Sequence, residues 1–434
     1  MRSSYDAIII GAGVIGTAIG LELARRGLKT FNVERHPAAG YGSTSSSCAI
    51  IRCFYSTVAA SAFALEGYHY WKNWSEYLGV EDERGLARFR ETGCLVLKTE
   101  ANGKLKALLE RMQEAGVAYE EWSRSAIGEK LPFWDLRLYA PPRLPEEAGF
   151  GEPDGAEIEG GVFFPQAGYV SDPQLATHNL QRAAEAAGAK FRFNSEVGAI
   201  LKDEQGKIGG IALKTGERVQ APVVVNAAGP HSAKINALAG ALDDMRITTR
   251  ALKREVAHVP APTPDYEACY FVTSDSDIGC YTRPETGNQI LIGSEDPACD
   301  TRQWVDPDEY SRNFSEQVRN QVMRMAQRIP NLAIPGSIRG VVDCYDVSTD
   351  WTPIYDRSCV PGFYMAVGTS GNQFKNCVIS GVLMAELIVA CENGLDHDRK
   401  PMSLRGRYTG HVFNAGFFSR LRTINSSSSF SVLG

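Results

Sequence analysis

The segment that decides the fold is Asp6-Ala-Ile-Ile-Ile-Gly11-Ala-Gly13-Val-Ile-Gly16, close to the start of the chain. Residues 6–10 form a short apolar run, which is typical of a buried parallel strand. A helical stretch follows as far as residue 26, and a second apolar run, residues 29–33, ends at Glu34. Strand, glycine-rich turn, helix and second strand together predict a βαβ unit that binds a dinucleotide.

Each glycine of this turn has a separate predicted role. Gly11 permits the tight turn, Gly13 lets the backbone approach the pyrophosphate, and Gly16 lets the helix pack closely on the strand. Glu34, 18 residues after Gly16, is placed to accept hydrogen bonds from the adenosine ribose hydroxyls. An acid at this position argues against NADP, whose 2′-phosphate it would repel, but the unit alone does not separate FAD from NAD.

The composition is that of a globular protein acting on small molecules. The 434 residues are 44% hydrophobic and 22% charged, with a formal net charge of −6. No basic cluster predicts binding to nucleic acid or to an anionic membrane. The ten cysteines are scattered without a zinc-binding pattern, so we expect no metal site and a reducing cytoplasmic location. The apolar segment 7–24 lacks a signal-peptide cleavage site and contains Glu22, so we expect no membrane span.

Five later segments of the chain form a recognisable series: Gly40-Tyr-Gly-Ser-Thr-Ser-Ser-Ser-Cys-Ala-Ile-Ile-Arg52-Cys-Phe-Tyr55, Gly161-Val-Phe-Phe-Pro165 with Gly168-Tyr-Val-Ser-Asp-Pro173, Asn194-Ser-Glu-Val197, Val224-Val-Asn-Ala-Ala-Gly229, and Gly368-Thr-Ser-Gly371-Asn-Gln-Phe-Lys375. In this order they resemble the motifs of the D-amino-acid-oxidase superfamily of FAD-dependent oxidoreductases, most closely its sarcosine oxidase and glycine oxidase branch. The resemblance extends to about residue 390.

The resemblance implies an α/β fold in which a Rossmann-like FAD-binding domain is interleaved with an α+β substrate domain built on a mixed, largely antiparallel sheet. The FAD-binding domain is predicted to combine residues 1–88, 155–233 and 347–405. The substrate domain is predicted to combine 89–154 and 234–346, and 406–434 form a C-terminal extension. Its last ten residues, which include four consecutive serines, are expected to be loosely attached.

The resemblance also implies the cofactor and the site residues. We expect FAD to contact Gly11, Gly13, Val14, Ile15, Gly16, Glu34, Arg35, Ser43, Thr44, Val197, Gly229, Gly371, Asn372 and Lys375. Arg52 and Lys375 are expected to hold a substrate carboxylate, because the planar guanidinium matches two oxygens and a second cation adds charge. Tyr281 is the third catalytic candidate.

Several other residues remain as alternatives. Tyr55 and Tyr345 are weaker aromatic candidates, and Arg283 is an alternative carboxylate ligand. We expect two histidines, His231 and His258, to be structural.

Two departures from the family pattern affect the chemistry. The position of the cysteine that tethers flavin in related enzymes holds Asp343, and Cys344 lies one residue further on, so we expect non-covalent FAD. The position of the family's oxygen-activating lysine holds Leu291, and Lys253 is the only nearby alternative in sequence. Leu291 at this position weakens the assignment as an oxidase. The electron acceptor is therefore expected to be either oxygen or, as in a dehydrogenase, another acceptor.

The function implied is oxidation of the C–N bond of a small amino acid or secondary amine that carries a carboxylate, by hydride transfer to flavin N5. An N-methyl or other N-substituted amino acid is favoured. Two alternatives remain, an NAD-linked dehydrogenase and an FAD-carrying subunit of a multi-subunit amine dehydrogenase complex.

Overall fold

A parallel sheet of six strands forms the first part of the fold. The computed structural model describes residues 4–432. The strand order is Ile354–Arg357, Phe363–Val367, Val223–Asn226, Ala7–Ile10, Thr30–Val33, Lys190–Arg192. All neighbouring pairs are parallel except the first, which is antiparallel. The run Ala7–Ile10 lies at the centre and is buried along its length, as expected for a strand covered on both faces.

Helices cover the central strands of this sheet. The helix Val14–Arg25 packs against Pro173–Ala186 and Cys377–Glu392. The contact with the last helix is close, since a Cβ added at Gly381 would lie 2.9 Å from the Ala18 backbone. Within residues 4–432, one helical stretch, Phe374–Glu392, is long and apolar enough to cross a membrane, but 67% of its apolar window is buried inside the protein. That burial is typical of a core helix.

A larger mixed sheet forms the second part. Its strand order is Trp304–Val305, Thr249–Pro260, Gln289–Ser294, Cys280–Glu285, Val272–Asp275, Cys94–Leu97, Gly160–Phe164, Glu120–Ser123, and Arg339–Ser348 also pairs with Thr249–Pro260. The pair Cys94–Leu97 with Val272–Asp275 is parallel, and the other pairs are antiparallel. The predicted fold class, a Rossmann-like unit with a largely antiparallel second sheet, is confirmed.

Smaller elements complete the chain. One three-stranded sheet contains Val197–Lys202, Ile208–Leu213 and Arg218–Gln220, and another contains Ile50–Ile51, Gly168–Val170 and Phe89–Arg90. Ser403–Arg405 pairs with Val412–Asn414. The other α-helices are Val58–Lys72, Trp74–Leu78, Lys106–Ala115, Arg124–Lys130, Ser232–Ala239, Tyr266–Cys269 and Glu316–Arg328.

Two expectations about chain organisation differ from the structure. The strand Gly160–Phe164 pairs within the larger sheet, although the predicted boundary at 155 assigns it to the nucleotide-binding segments. The C-terminal segment is docked rather than loosely attached as far as it is described: Asn425 N donates to Asp350 Oδ2 at 3.2 Å, and Arg302 Nη2 donates to the Phe430 carbonyl at 2.5 Å. The remaining domain boundaries stay a prediction.

Candidate active site

A cavity of about 680 Å³ lies between the two large sheets. The carboxyl ends of the parallel strands border one end of it, through Ile10, Val33 and Ala227. The larger sheet borders the other end, through Val256, Val272 and Tyr281 among others. This position, outside the carboxyl ends of parallel strands, is where ligands bind in open α/β sheets.

The glycine-rich turn forms one wall of the cavity by close backbone packing. Gly11 has φ +109°, and a Cβ there would lie 2.4 Å from the Ala227 carbonyl oxygen. A Cβ on Gly16 would lie 2.3 Å from the Gly11 oxygen. Gly16 therefore serves the close helix–strand packing expected of it, and its contact with the cofactor stays a prediction.

The first helix directs its N-terminus at the cavity. The helix begins after Gly13 without a capping side chain and has no acidic residue in its first turn. The Val14 N–H donates to Thr44 Oγ1 at 3.2 Å, which holds the loop 40–47 over the helix end. N–H groups at such a terminus suit phosphate oxygens.

Glu34 is fixed at the end of the second strand. Its Oε2 accepts from the Ala12 N–H and its Oε1 from the His36 N–H, both at 2.9 Å. These bonds tie the carboxylate to the glycine-rich turn and leave lone pairs toward the cavity that it borders.

Apart from Gly16, every predicted cofactor-binding residue borders the same cavity: Gly11, Gly13, Val14, Ile15, Glu34, Arg35, Ser43, Thr44, Val197, Gly229, Gly371, Asn372 and Lys375. Three features match the pyrophosphate and ribose of a dinucleotide. They are a glycine-rich turn packed too closely for side chains, a helix N-terminus without a capping side chain at Gly13, and the fixed carboxylate of Glu34. The residues present therefore fit FAD.

Arg52 borders the same cavity and is buried, with 7% of its surface exposed. Its Nη1 donates to the Phe54 carbonyl at 2.5 Å and its Nη2 to the Val432 carbonyl at 2.6 Å. The guanidinium also lies over the Tyr55 ring, 4.3 Å from the centroid. A backbone oxygen of the C-terminal segment thus accepts a hydrogen bond from one of the two terminal nitrogens that a carboxylate would use.

Lys375 is buried beside Arg52 and held by two oxygens. Its Nζ donates to Tyr55 Oη at 2.6 Å and to the Asn372 carbonyl at 2.8 Å. Burial, together with the nearby positive charge of Arg52, holds the pKa of Lys375 well below its usual value. An anion arriving here would favour the charged ammonium.

Tyr281 belongs to a pair of aromatic residues that border the cavity. Its hydroxyl lies 3.3 Å from Cys48 Sγ, and burial raises its pKa well above the usual value. Tyr345 borders the cavity as well and lies against Gly371, where an added Cβ would be 2.4 Å from its ring. Burial raises the pKa of Tyr345 to about 12. Both phenols are therefore neutral hydrogen-bonding groups at ordinary pH.

The tether position presents a carboxylate. Asp343 Oδ1 accepts from Ser43 Oγ at 3.2 Å, and its Oδ2 accepts from Ser46 Oγ at 2.7 Å. Cys344 is 2% exposed, and burial raises the pKa of its thiol to about 11. A thiol that stays protonated is a poor nucleophile, which supports the expectation of non-covalent FAD.

Four residues considered from sequence do not border the cavity. Arg283 donates to Cys48 O, Pro284 O and Glu285 instead, so it does not serve as a second carboxylate ligand. Lys253 pairs with Glu255 at 2.8 Å, while Leu291 and His258 lie opposite each other in paired strands of the larger sheet. Leu291 and Lys253 therefore do not line the cavity.

Arg254 and Val432 are among the residues of the cavity wall that sequence reasoning missed. Arg254 could have been noticed as one of three consecutive charged residues, 253–255, inside a strand. Nothing in the sequence around Val432 indicates that its carbonyl reaches Arg52.

The fold and cavity define a dinucleotide-dependent oxidoreductase, and comparison with known proteins identifies the group. The profile of the DAO family, FAD-dependent oxidoreductases, matches residues 6–387, so the chain belongs to that family. The protein is an FAD-dependent oxidoreductase of the amino-acid oxidase type, and its cofactor is FAD. The NAD-linked alternative is set aside.

Individual relatives are consistent with this assignment. The chain is 27% identical over 421 residues to glycine oxidase of Geobacillus kaustophilus, covering 95% of this chain and 99% of that protein. It is 25% identical over 400 residues to sarcosine oxidase subunit beta of Rhizobium meliloti, covering 89% and 85%. The crystal structure of L-proline dehydrogenase from P. horikoshii has the same fold, with a TM-score of 0.76, 22% identity and coverage of 97% and 98%.

Proposed function

We propose that the protein oxidises the C–N bond of a small amino acid or secondary amine that carries a carboxylate, with an N-substituted amino acid favoured. The observation that carries this proposal is the pair of buried cations, Arg52 and Lys375, on the wall of the same cavity as the cofactor-binding residues. Neither side chain forms an ion pair with an acidic residue among residues 4–432, and buried basic groups of this kind suit an anionic ligand. The similarity to glycine oxidase and to sarcosine oxidase subunit beta supports the same class of substrate.

The chain's own residues provide binding and orientation. FAD, when bound, supplies the acceptor for the hydride equivalent that leaves the carbon next to nitrogen. Arg52 is proposed to bind the carboxylate in place of the Val432 carbonyl. Phe54 borders the cavity beside Arg52 and excludes water, which strengthens the ion pair.

Lys375 is proposed to couple substrate binding to proton uptake. Burial and the nearby charge of Arg52 lower the pKa of Lys375 in the structure, which disfavours its ammonium form. A substrate carboxylate favours the ammonium and raises that pKa, so carboxylate binding is coupled to the protonation of Lys375. Carboxylate affinity should therefore fall as pH rises through the pKa of Lys375 in the complex.

The proposal is tested by an anaerobic screen of glycine, N-methylglycine, proline and longer amino acids for loss of flavin absorbance. Reduction by at least one of these acids, and none by the corresponding amides, is the expected result. No reduction by any acid would contradict the proposal. Mixing reduced protein with oxygen and, separately, with an artificial acceptor then measures which acceptor serves.

A second candidate is an FAD-carrying subunit of a larger amine dehydrogenase, for which the similarity to sarcosine oxidase subunit beta speaks. Reduction of the isolated chain by substrate would show that catalysis needs no partner.

We also propose a cytoplasmic location, which the ten unpaired cysteines of the structure support.

A further inference from the structure

We propose that the turn 306–309 is a clasp that closes over the nucleotide end of the cavity and retains FAD, with Asp308 as its latch. The inference goes beyond the proposed amine oxidation, since it concerns the cofactor and not the substrate. Asp308 is a positioning residue in this proposal, because it acts through three basic side chains of the opposite wall and not on the reacting atoms.

The larger sheet holds both ends of the segment that contains the turn. On the N-terminal side of the turn, Trp304–Val305 pairs with the long strand Thr249–Pro260. On the C-terminal side, Lys253 of the same long strand donates from Nζ to the Asn313 carbonyl at 3.0 Å. The turn therefore lies between two fixed points of one strand.

The turn is also ordered by its own hydrogen bonds. The Asp308 N–H donates to Asp306 Oδ1 at 2.9 Å, and the Glu309 N–H donates to the Asp306 carbonyl at 3.1 Å. Pro307 and Asp308 both border the cavity. The side chain of Asp308 is 43% exposed, so its carboxylate lies at the rim of the cavity.

The Asp308 carboxylate joins three basic groups of the nucleotide-binding part. Its Oδ1 accepts from Arg35 Nη1 at 2.9 Å and lies 2.9 Å from His231 Nε2. Its Oδ2 accepts from Lys234 Nζ at 2.6 Å, and Lys234 also donates to Asp306 Oδ1 at 2.6 Å. The hydrogen bonds from Lys234 and Arg35 hold the pKa of Asp308 well below its usual range, so the carboxylate is charged at ordinary pH.

The three partners lie on both sides of the glycine-rich turn. Arg35 follows the strand Thr30–Val33, whereas the other two partners follow the strand Val223–Asn226. The strand between these two, Ala7–Ile10, leads into the glycine-rich turn. All three partners border the cavity, as that turn does. The ion pairs thus connect the two sides of the pyrophosphate site, and the clasp has to open for the pyrophosphate to leave on this side.

The expected size of the effect follows from the exposure of the ion pairs. One exposed pair contributes a factor of about 1.5 to 5 to an equilibrium, so three pairs on one carboxylate should contribute roughly 3- to 30-fold. A carboxylate without a latching role would have the opposite effect, because its negative charge near the cofactor phosphates is repulsive. The sign of the effect therefore separates a latch from simple repulsion.

The experiment measures the rate of FAD release from the holoprotein, as the rise in flavin fluorescence after dilution. Asp308→Asn keeps the shape of the side chain and removes its charge, and we expect release about 3- to 30-fold faster. Asp308→Glu keeps the charge and should restore part of the retention. The matched control is Glu217→Gln, which removes an exposed acid that pairs with Arg192 away from the cavity and should leave the rate within about twofold.

Salt gives a second measurement on the same proteins. Because exposed ion pairs are screened, release from wild type should accelerate between about 0.05 and 1 M NaCl, and release from Asp308→Asn should accelerate less. If Asp308→Asn is purified without flavin, the same comparisons are made on FAD affinity, measured by quenching of flavin fluorescence on binding.

Three outcomes would overturn the clasp. They are unchanged or slower release from Asp308→Asn, equal acceleration in Glu217→Gln, and equal salt dependence in wild type and Asp308→Asn. No amine enters any of these measurements, so they are decided independently of the proposed function.

Discussion

Replacing Arg52 tests the carboxylate clamp most directly. In the structure both terminal nitrogens of Arg52 donate to backbone carbonyls, those of Phe54 and Val432, at 2.5 and 2.6 Å. Phe54 lies two residues away in the chain and stays in place, so the substrate carboxylate has to displace the Val432 carbonyl. Binding therefore exchanges a hydrogen bond to a neutral acceptor for an ion pair in a water-poor pocket.

The size of the effect follows from that exchange. Truncating one partner of a buried, hydrogen-bonded charge pair typically costs about 2–5 kcal/mol. The displaced bond to the Val432 carbonyl reduces the net gain in wild type by about 1 kcal/mol. Arg52→Ala should thus lose roughly 1–4 kcal/mol of carboxylate binding, which is on the order of 5- to 1000-fold in Kd. Arg52→Lys should recover part of this, because an ammonium lacks the bidentate fork.

The assay is a titration of flavin absorbance with the true substrate under anaerobic conditions, with its amide and with an inert carboxylate. The FAD content should survive both substitutions, since Arg52 is hydrogen-bonded to Phe54 and Val432 and not to the glycine-rich turn or Glu34. The amide should bind wild type weakly and lose little more in Arg52→Ala. If the acid and its amide bound wild type equally well, the carboxylate clamp would be wrong and a neutral amine would be the substrate.

Three further predictions follow from the geometry. Ending the chain before residue 427 should free Arg52 and tighten binding of a simple carboxylate about fivefold, the equivalent of one neutral hydrogen bond; weaker binding would mean that the segment is part of the binding site. Gly16→Ala should lower the free energy of unfolding by about 1–3 kcal/mol and the FAD content, because its Cβ would lie 2.3 Å from a backbone oxygen, whereas Gly336→Ala, with open space around it, should be neutral in chemical denaturation and flavin assays. Burial raises the pKa of Glu295 from its usual 4.5 to about 7, so its protonated form stabilises the fold below pH 4.5 and that contribution, about 3 kcal/mol, is lost as pH rises to 7. The free energy of unfolding of Glu295→Gln should not show that loss, and parallel pH profiles for the two proteins would refute the assignment.

The dinucleotide-binding half of the fold could be predicted because its signal is local. Residues 6–34 contain strand, turn, helix and strand in order, and the motif is recognised from these residues alone. The structure places Gly11 and Glu34 around one cavity, as those residue types at that spacing require. Gly16 packs closely against Gly11, which is the helix–strand packing expected of the third glycine.

On the substrate side of the cavity, the sequence pointed to residues only where they lie in a recognisable family motif. Arg52 and Lys375 stood in recognisable segments and meet at one cavity. Arg283 was equally plausible from sequence, but its strand position directs it to Cys48 O and Glu285. Arg254 was overlooked because its importance depends on which face of a strand meets the cavity, which is a property of sheet register.

What the sequence by itself determined is the βαβ unit, the family and the two cations in motifs, because those depend on residues close together in the chain. What only the tertiary structure decided is the hydrogen bond from Arg52 to the Val432 carbonyl, 380 positions away, and the position of Arg254 on the cavity wall. These contacts join segments through the folding of two sheets around one cavity. No local preference of residues 425–432, a polar run with five serines, predicts that they dock there. Their position depends on the burial of Trp351 and Val347, against which Val432 packs.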